Sequence, residues 1–321
     1  MIKRRLLIFI LTLCTLALLV PEDSMAARSR RQKPPGEKYR SAMVMDADTG
    51  QILYTENANR PVPPASVAKV LSLYLVYEAL NEGKASLQDK VRVSKKAWRT
   101  RGSRMFLEPG SEVTLEELIK GVCIVSANDA SVALAEHIAG NADKFVARMN
   151  AKARQLGMLN SRFMNPNGLP AKGQTTTARD IAILSRDYLR RFPQSLQIHS
   201  TQSYTYHNIT QHNHNVLLTR YPGTDGIKTG FVNASGYNLA ATAVQGNTRL
   251  IAVVLGSRTP GIRLRETIRL LDEGFRKVQK EAANKEVINF AGRLSGQDIP
   301  VVQGFYDVVE VFKIDTIISI I

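Results

Sequence analysis

Strand-like segments lie at both ends of the chain, and almost everything between them reads as helix. Ser41–Met45 and Gln51–Tyr54 have strand character and are joined by Asp48-Thr49-Gly50, which predicts a hairpin. Pro61, Pro63 and Pro64 then hold the chain extended before a helical pattern from about Ser66 to Glu82, stopped by Gly83. Further helical patterns cover Leu115–Ile124, Ala130–Ile138, Ala142–Leu156 and Ala178–Arg191. Thr177, with Asp180 at the third helical position, predicts a capping box on the last of these. Strand character returns from Tyr204, at Gly236–Ala243 and Leu250–Leu255, and Thr267–Lys280 closes as an amphipathic helix. A wound parallel sheet needs strands and helices in regular alternation, which this chain lacks. The expected fold is therefore α+β: one antiparallel sheet assembled from both chain ends, flanked by helices, with an all-helical insertion.

The 321 residues suffice for one large domain and a small appendage, and they carry a formal charge of +15. In an intracellular protein that charge would point to nucleic acid. The N-terminus points elsewhere. Lys3, Arg4 and Arg5 precede an apolar run from Leu6 to Val20, ended by Pro21, and Ser24-Met25-Ala26 places small residues where a signal peptidase reads. This is the layout of a secretory signal over residues 1–26, which predicts export to the periplasm or another extracytoplasmic compartment and removes nucleic acid as a partner. The excess charge then suits anionic envelope surfaces or a plain solvated face.

Residues 27–40, with Arg28, Arg30, Arg31, Lys33, Pro34 and Pro35, read as a basic linker ahead of a main domain at 41–280. Cys14 is a poor lipidation site because Leu13 before it is bulky. Past the signal, Cys123 is the one cysteine, so an exported fold must rely on its core without a disulfide. Within apolar Gly121–Val125 it reads as a small buried hydrophobe. Residues 281–321 read as a short, β-rich C-terminal segment, because Val308–Ile321 is apolar and β-branched. A remnant of a second domain, a peripheral membrane contact and a tail all fit it.

Three short motifs carry chemistry. In Ser66-Val67-Ala68-Lys69 the hydroxyl and the amine share a helix face, so the lysine can take the serine's proton if burial or a nearby cation lowers its pKa. Ser126-Ala127-Asn128 falls between two helical blocks, where a second hydroxyl can relay a proton and an amide can hold a peptide carbonyl. Lys228-Thr229-Gly230 reads as an edge strand offering an ammonium and a hydroxyl to a carboxylate, with a glycine that lets a substrate backbone approach. Each alone has an ordinary reading: a capping serine before a solvent-facing lysine, an interhelical turn, a strand-edge lysine. Their order, at intervals of 60 and 102 residues, is more informative than any one of them.

With these motifs the sequence resembles the low-molecular-mass penicillin-binding proteins, the D-alanyl-D-alanine carboxypeptidase family. The likeness covers roughly 41–277. It includes Met45-Asp46-Ala47-Asp48-Thr49-Gly50, Gly102-Ser103-Arg104-Met105-Phe106-Leu107, Asn165-Pro166-Asn167-Gly168-Leu169 and Ser235-Gly236-Tyr237. The resemblance implies a β-lactamase/transpeptidase-like fold and a serine peptidase acting on peptidoglycan stem peptides that end in D-Ala-D-Ala. It implies Ser66 as nucleophile, Lys69 as base and Ser126 as proton donor to the leaving D-alanine. Asn128 would hold the substrate amide, and Lys228 with Thr229 and Gly230 its carboxylate end. The oxyanion would sit between the backbone N–H groups of Ser66 and Phe231. No metal or cofactor is implied, and β-lactam antibiotics become covalent inhibitors.

Three other readings share parts of this pattern. A β-lactamase would need a glutamate for deacylation; Glu78-Ala79-Leu80-Asn81 is superficially similar to that loop but lies before Ser126. A D,D-endopeptidase cutting cross-links would carry the same three motifs. A non-catalytic wall-binding protein would be expected to have lost at least one of the motif residues. His212 and His214 alternate along a strand-like stretch but do not by themselves suggest a metal site.

Overall fold

The computed structural model describes residues 36–295, with 290–295 as backbone alone. The chain divides into a unit Met1–Glu37, of which only residues 36 and 37 are described, and a unit from Lys38 onward. The signal reading, most of the linker and the strand-like Val308–Ile321 lie outside the described residues. The last linker residues belong to the fold: Tyr39 is buried, and Arg40 N–H donates to Leu255 O (2.9 Å).

Five strands form the main sheet. They are β1 (Ser41–Asp46) and β2 (Ile52–Glu56) from the start of the chain, and β7 (Thr224–Val232), β8 (Gly236–Gln245) and β9 (Thr248–Ser257) from its end. The order is β2-β1-β9-β8-β7 and every pairing is antiparallel. Two short ribbons complete the strands: β3 (Lys90–Arg92) with β4 (Glu112–Thr114), and β5 (Ser203–Tyr206) with β6 (Ile209–His212). The expected hairpin is present, and its turn is held by the Asp46 side chain. Oδ1 accepts from Asp48 N, Thr49 N and Thr49 Oγ1 at 3.0, 2.7 and 2.9 Å.

Strand alternation here does not separate core from solvent, because both sheet faces are covered. Met43, Met45, Ile251, Val253 and Leu255 point into a core shared with the helical insertion. Their neighbours Ala42, Val44, Leu250, Ala252 and Val254 pack with Leu270, Leu271 and Phe275 of the closing helix. That helix lies very near the sheet: a Cβ on Gly274 would come within 2.8 Å of Leu250 Cδ1. The helix Lys69–Asn81 is buried nearly all round, which suits its almost continuous apolar sequence.

Three boundaries differ from the sequence reading. The first helix does not start at Ser66: Ala65–Ala68 form a 3₁₀ turn and the α-helix begins at Lys69. The capping box at Thr177 is half made. Thr177 Oγ1 accepts from Asp180 N, but the Asp180 carboxylate accepts from Asn160 N and Ser161 Oγ instead of the cap. The reciprocal box stands at Thr114–Glu117. The closing helix runs Pro260–Ser295, with proline at its first position, and between residues 281 and 289 it continues largely exposed.

Asn238 ties the sheet to the segment before Ser66. It is fully buried on β8; its Nδ2 donates to Pro63 O (3.2 Å) and Pro64 O (3.0 Å), and its Oδ1 accepts from Gly256 N (2.7 Å). Asn238→Ala leaves these groups buried and unsatisfied and is expected to cost about 3 kcal/mol. Urea unfolding checks this: the midpoint falls with little change in slope.

Candidate active site

The site lies where the helical insertion meets the free edge of β7. Ser66 is carried on the Ala65–Ala68 turn, and two glycines allow that turn to fit. A Cβ on Gly230 would lie 2.8 Å from Ser66 N and 3.1 Å from Val67 N, so β7 runs directly against the serine's backbone. From the other side, a Cβ on Gly168 would collide with Ala65 O. Ala65 itself takes a left-handed φ of 50°, a strained conformation for a residue with a Cβ.

Lys69 follows one turn later and is wholly buried. Its Nζ donates to Asn128 Oδ1 (2.6 Å) and Asn167 O (2.9 Å) and lies at hydrogen-bond distance from Ser66 Oγ (2.9 Å). The orientation of Asn128 is fixed from behind, because its Nδ2 donates to Arg101 O (2.7 Å) and its backbone N–H to Ser103 O (2.8 Å). Burial pushes the Lys69 pKa well below its ordinary value; the Lys228 charge adds to this and Asp129 opposes it.

Burial favours the neutral form of this amine, and in that form hydrogen-bond counting gives a direction. A neutral amine has two N–H donors and one lone pair. Asn128 Oδ1 and Asn167 O can only accept, so they take the two donors. The lone pair is left for the hydroxyl of Ser66. This is an amine placed to receive the serine's proton.

Ser126 is buried at a left-handed φ of 60°, two residues before Asn128. Lys228 is buried on β7, and its Nζ makes one hydrogen bond among the described residues, a long one to Thr229 O (3.3 Å). Its pKa is lowered to about 8 by burial, with Cys123 opposing and Arg263 assisting. Thr229 is buried beside it; Phe231 is half exposed, with its ring against Tyr237 (4.4 Å between centroids). The structure thus joins Ser66, Lys69 and Asn128 by direct bonds, sets Gly230 against Ser66, and brings Lys228 close enough to act on Lys69.

The comparisons with known proteins fit this geometry. The sequence model of the family described as D-alanyl-D-alanine carboxypeptidase matches residues 28–259. The chain belongs to the D-alanyl-D-alanine carboxypeptidase family. It is 39% identical over 276 residues to the carboxypeptidase DacF of Bacillus subtilis, covering 85% of this chain and 71% of the relative. With DacC of Escherichia coli it shares 42% over 257 residues, covering 78% of this chain and 64% of that one. The chain thus spans about two thirds of the length of these curated relatives. Among solved structures, penicillin binding protein 5 of Haemophilus influenzae superposes with a TM-score of 0.73 at 39% identity, covering 76% of this chain and 73% of that one.

Several residues of this family member's site had no pattern to announce them. Asn167 contributes a backbone carbonyl, so its side-chain type carries no signal for that contact. Asp129 is buried under the loop before it, accepting from Met105 N and Leu107 N (3.1 Å each). Arg263, from the closing helix, is buried, stacks over Tyr237 (6.0 Å) and acts on both Lys228 and His214. His214 retains exposed surface, yet desolvation of its ring and the cations Lys228, Lys69 and Arg263 push its pKa down to about 4. Cys123 is buried, with its thiol pushed up to about 12 chiefly by burial, as expected of an inert core residue.

The shifts favour a neutral Lys69 and leave Lys228 charged below about pH 8. Acid protonates Lys69 and removes the lone pair that faces Ser66; alkali neutralises Lys228 as pH rises through about 8. The rate of Ser66 acylation by a carboxylate-bearing reagent is therefore expected to fall on both sides, with the alkaline limb near pH 8. A stopped-flow pH profile of that rate measures it.

Proposed function

We propose that this chain is a serine D,D-peptidase that removes the terminal D-alanine from peptidoglycan stem peptides, through an acyl-enzyme on Ser66. The observation that carries the reading is the buried Lys69 amine, whose two acceptor-only partners leave its lone pair for the Ser66 hydroxyl. Family membership and the names of relatives at 39–42% identity supply the substrate class.

In this reading Ser66 Oγ attacks the carbonyl of the penultimate D-alanine while its proton passes to Lys69 Nζ. The backbone N–H groups of Ser66 and Phe231 receive the oxyanion. Asn128 holds the substrate amide. The spare donors of Lys228, with Thr229, take the terminal carboxylate, while Gly230 keeps the strand edge clear. Ser126 passes a proton to the departing amine, and water then cleaves the acyl ester. Penicillins acylate the same serine, in keeping with the name of the Haemophilus relative. The enzyme works outside the cytoplasm, in line with its N-terminal signal-like layout. Among the described residues no helix is long and apolar enough to cross a membrane.

The β-lactamase reading loses its glutamate: Glu78 sits on the Lys69–Asn81 helix paired with Lys152 (2.7 Å) and Arg191 (3.6 Å), so it is occupied structurally. Ser66→Ala is expected to abolish both labelling by a fluorescent penicillin and release of D-alanine, a loss of at least about 10³-fold in rate. Gel fluorescence and a D-alanine assay measure the two. Undiminished labelling of the variant would remove Ser66 from this role.

A further inference from the structure

Five cations fall between residues 95 and 104 with no acid among them: Lys95, Lys96, Arg99, Arg101 and Arg104. Three of the arginines, with Trp98 and Gly102, line an open cavity of about 300 Å³. Arg99 and Arg101 are exposed, Arg104 is half-buried, and Trp98 is 42% exposed. None of the three guanidinium groups forms an ion pair or hydrogen bond among the described residues; Arg104 only lies over the Phe106 ring (5.6 Å). What distinguishes these arginines is that three of them converge on one cavity with no acidic side chain in its lining.

The cavity is joined to the active site through its own backbone. Arg101 O and Ser103 O are the acceptors that fix Asn128, and Gly102 passes so near that a Cβ there would lie 2.7 Å from Asn128 Nδ2. The loop is held in place by Asp129 through Met105 N and Leu107 N, and by Gln211 Nε2 donating to Arg104 O (3.1 Å). Asn128, assigned above to the substrate amide, is thus fixed by the same loop whose side chains line the cavity. We infer that the Trp98–Arg104 cavity is a subsite for a free carboxylate on the residue preceding the two alanines. The guanidiniums supply charge and forked donors, and Trp98 an apolar wall for the side-chain stem. This inference rests on the peptidase reading above and adds specificity to it.

The test compares two peptides with the full protein: N-acetyl-L-2-aminopimelyl-D-Ala-D-Ala, which carries a side-chain carboxylate, and the same peptide as its ω-carboxamide. Wild type is expected to prefer the acid about 10-fold in kcat/KM at low salt, with the preference shrinking as ionic strength rises. In the triple variant Arg99→Gln, Arg101→Gln, Arg104→Gln the ratio falls to about 1, whereas the matching triple lysine variant keeps most of it. An unchanged ratio in the glutamine variant, or no preference in wild type, overturns the inference while leaving the peptidase reading intact. Loss of binding to phosphatidylglycerol vesicles by that variant, with its peptide ratio unchanged, overturns it in favour of a lipid-facing patch. Failure of wild type to release D-alanine from either peptide overturns the peptidase reading and this inference with it.

Discussion

Everything at the centre of this molecule depends on burying one lysine amine. Removing an ammonium from water is costly enough that a buried lysine shifts its pKa and becomes neutral unless an anion holds the charge. Lys69 is wholly buried, another lysine acts on it, and its three polar contacts are all uncharged. Those contacts come from its own turn and from residues 59 and 98 positions away. The site therefore cannot exist without the tertiary fold, and the fold is arranged to bring these three segments together.

The sheet supplies the second constraint. β7 is its edge strand, so its outer side is free to face Ser66, and Gly230 lets it do so without a side chain in the way. Asn238 on the neighbouring strand then holds the Pro63-Pro64 segment, which sets where the serine turn begins. Two residues here, Ala65 and Ser126, take left-handed backbone angles that side chains disfavour. Such strain persists only where the surroundings over-determine the conformation, and two packed layers on either face of the sheet provide that.

Much of this was legible in the sequence. The antiparallel sheet drawn from both ends followed from strand patterns flanking helical ones, and the three motifs placed Ser66, Lys69, Asn128 and the β7 residues near one another. What stayed hidden has physical reasons. Periodicity does not distinguish a 3₁₀ start from an α-helical one over four residues, so the turn carrying Ser66 read as helix. Thr177-x-x-Asp180 has the letters of a capping box, but the carboxylate found partners at Asn160 and Ser161 that only tertiary structure reveals. Asn167 acts through its backbone, and Arg263 arrives from a helix distant in sequence from every motif. The closing helix outran its amphipathic stretch, and the exposed turns beyond residue 280 carry no apolar periodicity that would mark them in the sequence.

Neutron diffraction from the deuterated protein at neutral pH tests the central claim most directly, since it counts the deuterons on Lys69 Nζ. The account predicts two, directed at Asn128 Oδ1 and Asn167 O, with the Ser66 hydroxyl deuteron pointing to the nitrogen lone pair. Three deuterons on Nζ, one of them directed at Ser66 Oγ, would make Lys69 an ammonium in the resting site and contradict its assignment as the base.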